Sequence, residues 1–93
     1  MIIVYGAVVA EPEGLEELRR EGLAHTQRSR TEDGCILHSL HTDAENPLRL
    51  VFVEKWRDRA PLDEHFKQAG SLAFMRVVRR LNKSVEPMEV WEV

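Results

Sequence analysis

The chain of 93 residues has one cysteine, so it has no internal disulfide, and a single thiol suits a reducing compartment. It has no apolar run long enough to span a bilayer and no basic-then-apolar N-terminal stretch, so neither a membrane span nor a signal peptide is expected and the cytoplasm is the default location. It lacks an excess of basic charge. The net charge of −3 offers nothing to nucleic acid or to an anionic membrane surface. Glycine-rich phosphate loops, a serine nucleophile elbow and a Cys-x-x-Cys pair are all missing. So are internal repeats and low-complexity linkers. What is present is ordinary for a globular chain, 43 % hydrophobic and 31 % charged, and the length suits one domain over residues 1–93.

Residues 2–10 (IIVYGAVVA) are apolar almost throughout and rich in β-branched types, which predicts a central strand buried on both faces. Glu11-Pro12-Glu13-Gly14 ends it and opens a helix to about Arg30, with acids near its start and Arg28 and Arg30 near its end. On that helix Leu15, Leu18, Gly22, His25, Thr26 and Ser29 share one stripe that begins apolar and ends polar. Such a face either lines a cavity or emerges into solvent. Thr31-Glu32-Asp33-Gly34 is a turn.

Residues 35–43 and 48–57 read as a hairpin of two strands joined by Ala44-Glu45-Asn46-Pro47. Loop length sets the register, and the sequence leaves four or five loop residues equally open. Either His38 or the pair Ser39/His41 therefore shares a face with Phe52, Glu54 and Trp56. Cys35, at the strand start, is expected to pack as a small hydrophobe.

Asp58 and Pro61 suit a helix start, and Leu62, His65 and Phe66 at i, i+3, i+4 place His65 on the buried side. Gly70 interrupts, Ser71 is positioned to cap again, and Phe74, Val77, Val78 and Leu81 form an inward stripe to about Asn82. Arg76, Arg79, Arg80 and Lys83 form a solvated basic face. Residues 84–93 make a last strand, placed at an edge or bulged because Pro87 lacks a ladder donor.

The order β-α-β-β-α-β is that of an α+β, ferredoxin-like domain, a four-stranded antiparallel sheet with its helices on one face. Strand one is apolar on both faces, and strand three carries Leu50/Phe52 on one side and Val51/Val53 on the other. The uncovered face predicts a homodimer, sheet against sheet.

Within this order, Gly34-Cys35, then Glu54-Lys55-Trp56-Arg57-Asp58, then Leu62-Asp63-Glu64-His65 with Phe74 beyond, resemble the antibiotic biosynthesis monooxygenase family of dimeric α+β barrels. The resemblance covers nearly the whole chain. It implies a cavity between sheet and helices that takes a planar aromatic or quinol, and cofactor-independent monooxygenase or related oxidoreductase chemistry. The heme-degrading branch of that family uses a strand-one Asn, a helix Trp and a later His; here strand one has no Asn, His65 stands at the helix Trp position and Met75 at the later His position, so heme is not expected. The strand-two position often aromatic in the family is His38.

The site residues that follow are His65, His38 and Glu54 as catalytic candidates, with Tyr5, His25, Trp56, Phe66, Phe74 and Met75 as substrate-binding candidates. A partly buried histidine titrates near neutrality and can take a proton from a phenol or enol. The alternative for His65 is a structural hydrogen bond to Glu54 or a backbone carbonyl. Glu54 either orients a histidine or pairs with an arginine. Trp56 is core or stacking platform, and Tyr5 faces the cavity or the dimer interface. No metal is expected: His38 and His41, three apart on a strand, point to opposite faces, and His25 and His65 come from different helices without a ligand pattern. The alternative functions are a non-catalytic small-molecule binding dimer of the same fold, or an isomerase using the same pocket.

Overall fold

The structure, a computed structural model, describes residues 1–93. The elements run β1 (Ile2–Ala10), a 3-10 turn (Pro12–Gly14), α1 (Leu15–Ser29), β2 (Cys35–Asp43), β3 (Asn46–Trp56), α2 (Arg59–Lys67), α3 (Ala69–Leu81) and β4 (Asn82–Glu92). The strands form one antiparallel sheet in the order β2-β3-β1-β4, with all helices on one face, a ferredoxin-like α+β fold.

The hairpin register is settled by a turn tighter than expected. Ala44 and Glu45 alone connect β2 to β3, Pro47 lies within the strand, and a shift at Thr42/Asp43 absorbs the difference. His38 pairs with Glu54 and Leu40 with Phe52, while Ser39 and His41 pair with Val53 and Val51. His38 therefore shares the helix-covered face with Glu54 and Trp56, and His41 takes the other.

Burial on both faces of β1 is only half realised in the single chain. Ile2, Val4, Val8 and Ala10 are buried beneath the helices, whereas Ile3, Tyr5 and Val9 are half-buried on a face that no element covers. β4 is an edge strand and also bulged: its pairing with β1 shifts between Glu86 and Glu89, so Pro87 falls where no ladder bond is lost.

The break between the second and third helices falls at Gln68, whose extended backbone (ψ 141°) ends one helix and precedes the next. Ser71 is therefore not a cap. It lies in the first turn of α3 with its hydroxyl buried and unpartnered. Asp58 holds the N-cap position of α2 without a side-chain capping bond and turns to Arg57 instead.

Beneath the helices the core is in two parts. Val8, Ala10, Leu18, Leu50, Phe74 and Val78 form one cluster, and Ile2, Val4, Trp56 and Leu62 the other. Cys35 packs against the second.

Gly34 adopts φ 81°, and the Arg57 N–H donates to its carbonyl at 2.8 Å, tying the α1–β2 turn to the end of β3. A Cβ here would lie 2.5 Å from Pro61 on α2. Gly34→Ala meets both left-handed strain and that clash, so it is expected to lower the unfolding free energy by roughly 2 kcal/mol in urea titration. An unchanged midpoint would show that the turn gives way at no cost.

Candidate active site

Between the two apolar clusters lies a buried polar layer. Alternation along β3 sends Leu50, Phe52, Glu54 and Trp56 to the helix side, so Glu54 sits between two aromatic rings. β2 adds His38 opposite it, the inner face of α1 adds His25, Thr26 and Ser29, and α2 adds His65. All of these are buried. The polar end of the α1 stripe thus faces inward rather than into solvent.

Every polar residue of the layer finds a partner, though not every polar atom does. The Trp56 indole Nε1–H donates to Glu54 Oε1 at 2.8 Å, and Ser29 Oγ donates to the His25 carbonyl at 2.7 Å. Thr26 Oγ1 and His38 Nδ1 are 3.0 Å apart, and Arg30 Nε donates to the His38 carbonyl at the same distance. His65 Nδ1 lies 2.8 Å from Glu32 Oε1. A carboxylate oxygen accepts, so Nδ1 carries a hydrogen, and in the neutral ring Nε2 is then the nitrogen with the free lone pair. That Nε2 faces Glu54 Oε1 at 3.9 Å, and His38 Nε2 lies 3.5 Å from Glu54 Oε2 with no hydrogen-bond partner of its own.

The rings of His25, His38 and His65 stand 5.2 to 5.5 Å apart between centroids. His25 also stacks on Phe74 at 4.7 Å and 14°, and Trp56 holds His65 at 4.7 Å. One ring nitrogen of each of the three lies within 4.8 Å of the others.

Burial drives the electrostatics. It pulls His25 down to about 4, aided by the charges of His65 and Arg28, and pulls His38 down to about 3, aided by His25, His65 and Arg30. It pushes the Glu54 carboxyl up, against the lowering effects of the Trp56 hydrogen bond and His65.

The layer forms one wall of a cavity of about 320 Å³. His25, Glu54 and His65 supply its polar groups together with Ser71, while Phe52, Phe66, Phe74, Met75 and Val78 make it apolar. The bulged segment of β4, 85–88, borders it on one side. Gly6 opens the space, since a Cβ there would meet nothing within 4 Å. A small apolar chamber with a few convergent polar atoms is the usual form of a small-molecule site.

Of the residues singled out from the sequence, His25, Glu54, His65, Phe66, Phe74 and Met75 line the cavity, with Met75 at its more exposed rim. His38 stands behind them. Trp56 is fully buried in the second apolar cluster and lies behind the cavity wall, bonded to Glu54 and packed on the His65 ring, so it is no stacking platform. Tyr5 is misplaced by the sequence reading. Its register with Val53 puts it on the uncovered sheet face, where Arg49 Nη2 donates to its hydroxyl at 3.0 Å. Glu54 pairs with neither an arginine nor a backbone group. Sequence reasoning missed Glu32, which sits in an ordinary-looking turn, and also the site roles of Gly6, Thr26 and Ser71.

The antibiotic biosynthesis monooxygenase family model matches residues 1–77. An uncharacterized protein of Synechocystis, sll1783, is 36 % identical over 66 residues, 71 % of this chain; the chain spans just 45 % of that protein's length. A proposed monooxygenase of Bacillus subtilis, YcnE, is 29 % identical over 81 % of this chain and 79 % of its own. A Deinococcus radiodurans protein described as an antibiotic biosynthesis monooxygenase superposes with a TM-score of 0.94, covering 100 % of this chain and 92 % of its own. At 23 % identity that likeness speaks to the fold alone.

The neutral buried histidines set a pH dependence. An unfolded chain protonates His25 and His38 below their ordinary 6.5, whereas the folded chain does not until about 4 and 3. Their contribution is therefore complete above 6.5 and is lost as pH falls through that window. Glu54, raised by burial, acts in the opposite sense from 4.5 upward and blunts the loss without reversing it. Chelator-treated protein is expected to lose roughly 2 kcal/mol of stability between about pH 7 and 5. His38→Gln is expected to flatten that slope by about half, as read by urea titration at each pH.

Proposed function

The chain belongs to the antibiotic biosynthesis monooxygenase family, and from that premise we propose that it is an oxygen-consuming oxidoreductase of the monooxygenase type, acting on a small phenol, quinol or anthrone-like aromatic in the cavity with no organic cofactor. The observation that carries the proposal is the Glu32–His65 pair. Glu32 holds the Nδ1 proton at 2.8 Å and so leaves His65 Nε2 as a base at the cavity wall.

In the proposed reaction His65 Nε2 removes a proton from the substrate hydroxyl or acidic carbon. The resulting anion gives an electron to dioxygen, and recombination forms a C–O bond to a hydroperoxide. His65 returns the proton as the O–O bond breaks and water leaves. For an activated methylene, the carbon gives up both hydrogens and gains a doubly bonded oxygen. The two hydrogens leave with the other oxygen atom as water. For a quinol, one ring C–H becomes C–OH and the ring is oxidised to the hydroxyquinone, again with release of a single water. In both cases the substrate supplies all the electrons that reduce dioxygen, so neither heme nor flavin is needed. Glu54, close to both histidines, stabilises the imidazolium that forms. The apolar walls keep bulk water from the anion. A reducing cytoplasmic setting suits the free thiol of Cys35, and no helix is long and apolar enough to cross a membrane.

Oxygen uptake by chelator-treated protein against a panel of hydroquinones, catechols and anthrone-like compounds tests this. Uptake well above the spontaneous rate is expected, falling roughly 10²-fold or more in His65→Ala with the fold retained. Gly6→Leu, which fills the cavity, is expected to abolish uptake without loss of stability. Turnover that survives His65→Ala while stability drops makes His65 a structural tie. No uptake across the panel moves the assignment to an isomerase or a binding dimer.

We also propose a two-fold homodimer through the open sheet face, which carries Ile3 beside an exposed Trp91 and, further along, Val53 and Val51. Sedimentation at micromolar concentration is expected to give twice the 10.8 kDa chain mass, and Val53→Lys, at the centre of that face, to give the single-chain mass. Only single-chain species for the unaltered protein would sink the dimer.

A further inference from the structure

We propose that His25, His38 and His65, with Glu54 beside them, form a binding site for one divalent first-row transition-metal ion of the zinc type at the inner wall of the cavity. Three observations point there independently of the reaction proposed above.

The first is convergence. One nitrogen from each ring lies within 4.8 Å of the others, and the three residues come from α1, β2 and α2, so the set is held from three directions. Zinc–nitrogen bonds of about 2.0–2.1 Å place tetrahedral ligands roughly 3.3 Å apart, so modest rotations of the rings close the set. Three imidazoles with one carboxylate suit zinc, iron, nickel or copper rather than magnesium or calcium.

The second is how the outer nitrogens are held. Metal-ligating histidines usually have their other ring nitrogen fixed by a carboxylate, carbonyl or hydroxyl. Here Glu32 accepts from His65 Nδ1 at 2.8 Å, and Thr26 Oγ1 stands 3.0 Å from His38 Nδ1. Both leave Nε2 inward. His25 differs: Arg28 Nη2 donates to its Nδ1, at 3.3 Å, the longest of the three contacts. Turning His25 toward an ion gives up that one weak bond, and Arg28 keeps its bond to the Gly70 carbonyl at 3.1 Å.

The third is an orphan. His38 Nε2 is buried, has no hydrogen-bond partner and lies 3.5 Å from Glu54 Oε2. A buried, unpartnered ring nitrogen and a buried carboxylate oxygen that face each other make a place for a cation. Glu54 and Glu32 together supply two negative charges against a dication. The cavity, which His25, Glu54 and His65 line, gives the ion a way in. His41, on the opposite sheet face, is outside the set.

The site rests on the base reading only for the consequence of binding. The ion and the substrate proton compete for His65 Nε2, so a bound zinc ion suppresses cofactor-free turnover.

Cobalt(II) and zinc titrations of chelator-treated full-length protein test the site. One equivalent of cobalt per chain is expected, with the visible absorption of a low-coordinate nitrogen site, displaced by zinc. Zinc is expected to shift the imidazole ¹⁵N signals of His25, His38 and His65 and to leave those of His41 in place, a reading that needs no variant. His38→Gln is expected to weaken binding by more than about 100-fold, Glu32→Gln by roughly 10-fold, and His41→Ala not at all. Binding that survives His38→Gln unchanged, or zinc shifts confined to His41, overturns the site. No binding with oxygen uptake intact overturns the site and leaves the base reading standing. Stoichiometric binding with uptake that requires added metal supports the site and overturns cofactor-free chemistry.

Discussion

Glu54 lies on β3 between Phe52 and Trp56, on the side of the sheet that the helices cover. A carboxylate taken out of water there costs several kcal/mol unless hydrogen bonds and charges compensate it. Its partners fix much of the surrounding structure. The Trp56 indole must turn back toward it, His38 must sit directly opposite on β2, and His65 must project from α2 at the matching height. A one-residue slip of β3 would carry Lys55 inward and expose Trp56, so the burial of Glu54 and the register of the sheet are a single constraint. The two apolar clusters lie on either side of this layer.

The opposite face of the sheet is organised differently. At one end Arg49 reaches Glu86 on β4, Tyr5 on β1 and Asp43 at the end of β2, joining all four strands through one guanidinium. At the other end Ile3, Leu37 and Trp91 are apolar, with only the Lys55 stem among them. A face that is polar at one end and apolar at the other has a direction. A second copy laid on it as proposed would be registered as well as attracted, because a shift along the strands would set an apolar end over the partly buried arginine network.

The fold was legible because period, punctuation and order agreed. A nearly continuous apolar strand, a break at Glu11–Gly14, a hairpin and a Leu62/His65/Phe66 stripe admit few topologies. The site was legible only where one element decided it. His65 and the inner face of α1 follow from helical spacing, and Glu54 with Trp56 from strand alternation. Tyr5 was not decidable, because alternation fixes which residues share a face and not which face meets the helices. His38 depended on the hairpin, where two connecting residues plus a bulge replaced the expected four or five. Glu32 was invisible for a deeper reason. Its turn is read from Gly34 and small polar neighbours, and nothing local indicates that the turn returns beneath α2, 33 residues away in sequence, to meet a histidine.

Stability alone does not account for the polar layer. Apolar residues of similar volume at His25, His38, Glu54 and His65 would merge the two clusters into one core and remove every desolvation cost, and such replacements commonly leave proteins as stable or more so. The layer instead gathers three imidazoles, two of them kept neutral by burial, beside the carboxyl of Glu54, with one outer nitrogen committed to Glu32, at the wall of a chamber that Gly6 keeps open. Neutral imidazole is the form that accepts a proton and also the form that binds a metal ion. The same burial that lowers proton affinity at His25 and His38 therefore prepares both chemistries. His65 alone among the three has a carboxylate holding its outer nitrogen, which fixes the ring with Nε2 turned toward Glu54. On the two proposals above, a proton and an ion compete for one nitrogen of His65, and supply decides which of them holds it.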